Sequence, residues 1–163
     1  MINDERRGGL IIFLSFVVAF MLTAMPLPEW AVAWRPVWVV LVLIYWCMAL
    51  PDRVGIATAW CVGLLLDVQQ GTLLGQHALG LAIVAFVTLL LHQRVRVFSL
   101  SKQAVVVSAI LFIYLVLTLW VRAMIGYPPQ HWNYWLPLLT SMLLWPWLFI
   151  ILRDLRRKYR VSA

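Results

Sequence analysis

The sequence predicts an all-α polytopic membrane protein with six transmembrane helices and both termini on the cytoplasmic side. Three observations carry this: the apolar content, the spacing of uncharged runs, and the distribution of basic residues. Of 163 residues, 64% are hydrophobic and 12% charged, more apolar surface than a water-soluble domain of this size can bury. The net charge of +7 sits in short clusters between long uncharged runs, which fits membrane topology and gives no basic face for nucleic acid.

A hydrocarbon core of roughly 30 Å needs about 20 helical residues, because backbone groups in lipid must bond within their own segment. Six runs approach that length, at about 9–25, 36–50, 54–70, 75–91, 103–125 and 135–152, followed by a basic tail at 153–163. The whole chain, 1–163, reads as one membrane domain with no soluble unit. Pro26, Pro28, Pro36, Pro51, Pro128 and Pro129 fall at or beyond run ends, where a missing N–H costs little. Pro137 lies in the first turn of the sixth run, and Pro146 inside it is expected to kink that helix. The first run follows Arg6-Arg7 but is long for a signal-peptide core, so it reads as a retained helix.

With the N-terminus inside, eleven of the 13 Lys and Arg residues fall in cytoplasmic segments, leaving Arg35 and Arg122 outside. Dropping or reversing one run destroys that asymmetry, which is the positive-inside pattern. The tryptophans Trp30, Trp34, Trp38, Trp120, Trp132 and Trp135 gather near the outer boundary, as amphipathic rings do. Arg35, between two of them, reads as an interface anchor or a partner contact, with anchoring favoured.

Chemistry is sparse. Asp67 is the one acidic residue within a run, where a carboxylate must face protein, be protonated or reach water. Ala59, Gly63, Asp67, Gly71 and Gly75 recur every fourth residue and share one face if the helix persists, a stripe narrow enough for close helix packing. Asp67 is expected to accept hydrogen bonds from the next helix N-terminus or from loop amides, fixing the turn 69–75. A ligand, ion or proton-relay role and a partner contact are the other readings. His77 is placed to approach Asp67 across the turn as a structural histidine. The remaining histidines, His92 and His131, are dispersed, and no metal spacing or serine-nucleophile motif occurs, so no catalytic site, metal or cofactor is expected. Cys47 and Cys61 lie within apolar runs and read as packing residues. The tail Arg153-Asp154-Leu155-Arg156-Arg157-Lys158-Tyr159-Arg160 reads as a topology determinant that binds anionic lipid, with a cytoplasmic protein as the alternative.

Four blocks stand out in order along the chain: Trp34-Arg35-Pro36-Val37-Trp38, Tyr45-Trp46 with Ala49-Leu50-Pro51, Gly63-Leu64-Leu65-Leu66-Asp67 with Gly71 and Leu74-Gly75, and Leu144-Trp145-Pro146-Trp147. Together they resemble the rod shape-determining protein MreD family of bacterial inner-membrane proteins. The resemblance runs in order over nearly the whole chain, and the glycine–aspartate block is its most specific part. Gln69-Gln70 departs from the smaller polar residues expected there. The resemblance implies a non-enzymatic scaffold of the cell-elongation complex, acting in cell shape and lateral peptidoglycan synthesis. Its implied partners are an MreC-like bitopic protein and, through it, an MreB-like filament and a RodA-type polymerase with its transpeptidase. Gly63, Asp67, Gly71, Gly75, His77, Arg35 and Pro146 become structural or partner-binding candidates. The family also looks similar in fold to the S-components of energy-coupling-factor transporters, which supplies a rival function, small-molecule (vitamin) binding.

Overall fold

The computed structural model describes residues 2–161, and among these there is no strand; 79% of the chain is helical. Seven α-helices follow in order: α1 (Ile2–Ala24), α2 (Glu29–Val32), α3 (Trp38–Ala49), α4 (Ile56–Gln70), α5 (Gln76–Val95), α6 (Leu100–Ile125) and α7 (Leu136–Lys158), with a 3₁₀ turn at Trp132–Trp135 before α7. Helices α1, α5, α6 and α7 are long and apolar enough to cross a membrane. At about 1.5 Å per residue, α3 and α4 reach only about 18 and 22 Å.

The short helix is the centre. Every residue of α3 from Val39 to Met48 is buried, because α1, α5 and α7 pack around it. A helix that is apolar all round belongs inside a bundle, and hydropathy reads the same whether a neighbour is lipid or protein. Around α3 the pattern reverses that of a soluble protein, with Phe13, Met21, Leu90, Phe112 and Leu143 of the outer helices exposed. Polar bonds inside the bundle are few and directed. Trp46 Nε1 donates to Ser15 Oγ at 2.8 Å, tying α3 to α1, and the Val37 amide donates to Ser141 Oγ at 3.1 Å, tying the start of α3 to α7.

Contacts between helices gather at two ends of the bundle. At one, the terminal end, Gly8 of α1 lies against Arg53 and Val161, and Arg53 Nη1 donates to the Glu5 carbonyl at 3.4 Å. At the opposite, distal end lie the C-termini of α1 and α4 and the starts of α3, α5 and α7. Three details add to the sequence reading. Helix α1 begins seven residues before position 9, at Ile2. The basic tail is helical to Lys158, the last turns of α7; Ser162 and Ala163 lie outside the described residues. The small-residue stripe does not stay on one helix, since α4 stops at Gln70 and Gly71 turns the chain with φ 64°. Helix α7 runs on through Pro146, whose missing N–H leaves the Met142 carbonyl without its usual partner.

Candidate functional site

Helices α4 and α5 pack together most extensively, and Gly63 makes their close approach possible. A Cβ placed there would stand 2.3 Å from Ala78 Cα and 2.7 Å from Ala78 N, so any side chain at 63 drives the helices apart. Four residues on, one turn toward the distal end, comes Asp67, which is fully buried.

The turn that follows is built around that carboxylate. Thr72 N–H donates to the Asp67 carbonyl at 3.0 Å and Gly71 N–H to Val68 at 3.3 Å, the paired bonds that close a helix through a left-handed residue. Gly71 supplies that conformation. Gly75, at φ 102°, then starts α5 directly under the carboxylate. Asp67 Oδ1 accepts from Thr72 Oγ1 (2.9 Å), His77 N (2.9 Å) and His77 Nδ1 (2.7 Å), while Oδ2 accepts from Gly75 N (2.9 Å) and Ala78 N (3.4 Å). One buried carboxylate thus satisfies three amides of the first turn of α5, groups that have no partner within their own helix, and sits where the helix dipole favours negative charge. It is an N-cap supplied from the preceding helix, eight residues before the position it caps. Thr72 was not singled out in the sequence; a hydroxyl five residues after an intramembrane aspartate is the signal that would have found it.

His77 faces two ways. Its Nδ1 meets Asp67, and the ring also borders a distal cavity of about 750 Å³. Tyr114, Thr118, Arg122 and Tyr134 stand on the α6 side of that cavity, and Arg35 and Gln69 on the other. Tyr134 Oη donates to the Leu115 carbonyl at 2.6 Å, and Arg122 lies over the Tyr134 ring at 5.9 Å. Gln69 Nε2 donates to the Phe20 carbonyl at 2.9 Å. The cavity lining is therefore mixed, with two arginines, a histidine and hydroxyl groups set among apolar side chains.

Arg35 has a definite task. Its Nη1 and Nη2 donate to the carbonyls of Thr23 and Met25, acceptors left open where α1 ends, and its charge complements the negative end of that helix. Pro146 lies far from this site, one residue after the fully buried Trp145. Gly63, Asp67, Gly71, Gly75 and His77 are thus brought together, Arg35 stands across the distal cavity from His77, and Pro146 stands apart.

The family description "rod shape-determining protein MreD" matches residues 5–155, a range that contains the core of every helix. The rod shape-determining protein MreD of Haemophilus influenzae is 36% identical over 146 residues, covering 90% of each chain. No solved structure matches. With the membrane-spanning helices, these likenesses assign a part in determining cell shape, and the chain belongs to the MreD family of rod shape-determining proteins.

Proposed function

We propose that this protein is a non-enzymatic scaffold of the bacterial rod complex. It is a single inner-membrane domain over 1–163 that crosses the bilayer six times with both termini in the cytoplasm. Its helix faces hold an MreC-like bitopic partner, and the assembly guides lateral peptidoglycan synthesis by a RodA-type polymerase and its transpeptidase, in register with an MreB-like filament. The observation that carries the reading is family membership across residues 5–155, joined to described residues that offer helix faces and short loops as binding surfaces. The eleven basic residues assigned to one side support the orientation. The α4–α5 turn, built on Gly63, Asp67, Gly71, Gly75 and His77, is the structural element that holds the partner-binding helices in place, with Arg35 and Pro146 shaping the helices on either side.

Crosslinking in rod-shaped cells followed by detergent extraction tests this. A bitopic MreC-like protein should copurify with the chain, and its absence together with that of the elongation synthase would sink the scaffold reading.

A second reading, a small-molecule-binding subunit like the S-components of vitamin transporters, is favoured by one observation, the distal cavity of about 750 Å³ bordered by His77. A vitamin panel that raises the melting temperature of the purified protein would support it, and no shift across the panel would dismiss it.

A further inference from the structure

A second polar cavity, of about 570 Å³, opens at the terminal end, where the last turns of α3, α5 and α7 meet the first turn of α6. Five guanidinium groups line it, those of Arg96, Arg153, Arg156, Arg157 and Arg160, and among the described residues no carboxylate does. Among the described residues their one carboxylate partner is Asp154, 3.5 Å from Arg153 Nε and itself exposed. Charges of one sign gathered around a cavity repel one another until an anion fills it.

The rest of the lining is mixed, with Tyr45 and Gln103 as its buried polar side chains. Gln103 is 2% exposed; its Nε2 donates to the Val95 carbonyl at 3.0 Å, and its Oε1 is buried without a partner. Met48 and Phe149 add an apolar strip. The helix end that closes the cavity is unusual. Val161 N–H bonds to the Arg156 carbonyl at 3.1 Å and Arg160 N–H to Arg157 at 3.3 Å, the same paired closure that Gly71 makes, but here the left-handed position, φ 49°, is held by Arg160. Glycine is the ordinary residue at such a position. An arginine there keeps a strained backbone and gains a fifth guanidinium on the cavity wall, while Val161 packs into the core.

We propose that this cavity binds the hydroxyl-bearing phosphodiester headgroup of an anionic membrane lipid. The guanidinium forks engage phosphate oxygens in pairs, a headgroup hydroxyl supplies the donor that Gln103 lacks, and the apolar strip meets the glycerol ester region. A basic pocket between helix ends at headgroup level is suited to this chemistry. The inference goes beyond the scaffold reading and shares with it only the orientation, which decides the leaflet that supplies the lipid. Loss of lipid binding in a variant that still maintains rod shape separates the two.

The test uses the full chain in neutral detergent, titrated with dioctanoyl phosphatidylglycerol, dioctanoyl phosphatidylcholine and free glycerol 1-phosphate, and followed by melting temperature and native mass. Phosphatidylglycerol should bind saturably and raise Tm, phosphatidylcholine should not, and each arginine removed should weaken binding about five-fold. Arg160→Gly is the decisive variant, because relief of the backbone keeps its Tm at or above that of the parent while its lipid affinity falls. The double variant R96Q/R156Q should bind more weakly still. Binding of glycerol 1-phosphate as tight as that of phosphatidylglycerol would support the same pocket chemistry with a soluble source. An equal shift with phosphatidylcholine, or unchanged phosphatidylglycerol binding by R160G and R96Q/R156Q, overturns the proposal.

Discussion

Asp67 Oδ1 lies 2.7 Å from His77 Nδ1 and 2.9 Å from the His77 amide, so one oxygen of α4 fixes both the side chain and the backbone at the start of α5. The carboxylate is the hub of the turn, and the charge it brings into the bundle is offset by five donors.

Replacing Asp67 separates charge from polarity. Asp67→Leu leaves those donors buried and unpaired, at about 1 to 3 kcal/mol for each that finds no water, and is expected to unfold the start of α5 and abolish function. Asp67→Asn keeps one acceptor oxygen but turns an amide toward the Gly75 and Ala78 N–H groups, so it should retain more stability and activity than Leu and less than Asp. Melting in detergent alongside complementation checks the order. Equal, full activity of both variants would make the carboxylate irrelevant.

Gly63→Ala places a methyl group against the Ala78 backbone. Overpacking of this kind costs about 1 to 3 kcal/mol, with no side-chain rotamer available to relieve it. Gly9→Ala, where a Cβ meets nothing within 4 Å, serves as the control and should be neutral. Similar melting temperatures for the two would refute the close approach of α4 and α5.

Gly71→Ala asks an L residue to hold φ 64° with open space around it. The expected loss is about 1 to 2 kcal/mol, from backbone conformation alone. Gly71→Asn should recover part of it, because asparagine tolerates the left-handed region better than alanine does. A Gly71→Asn protein no more stable than Gly71→Ala would point to a packing cause instead.

Ser15 and Trp46 form a buried pair whose energies should not add. Ser15→Ala leaves the Trp46 N–H without an acceptor, at about 1 to 3 kcal/mol. Trp46→Phe removes the donor and some volume, and the double variant should be more stable than the sum of the singles implies. Strict additivity in thermal melts would show that the 2.8 Å bond contributes nothing.

The helical architecture was legible because charge is expensive in lipid: the apolar runs that lie between Arg6, Arg53, Arg94 and Arg153 carry almost none. The interior was less legible. Hydropathy has no term that distinguishes a lipid neighbour from a protein one, so the 36–50 run stood out as short but did not show that α3 is central. Asp67 announced itself, being an acid where an acid is costly, and His77 followed from its distance along the chain. Thr72 and Ser141 did not, since small hydroxyl residues are common in such helices and reveal a role only when their partners are known. Arg35 was visible as a charge at a boundary, but its carbonyl partners on α1 depend on how the loop through α2 folds back. Arg160 could not have been picked out, because one arginine of a basic run looks like the next until the backbone turns.

The central claim, a scaffold that maintains rod shape, is tested most directly by depleting the resident MreD protein of a rod-shaped bacterium and expressing this chain in its place. Restored rods are the expected result. Cells that round up despite full expression in the membrane, or that recover on vitamin supplementation alone, would contradict it.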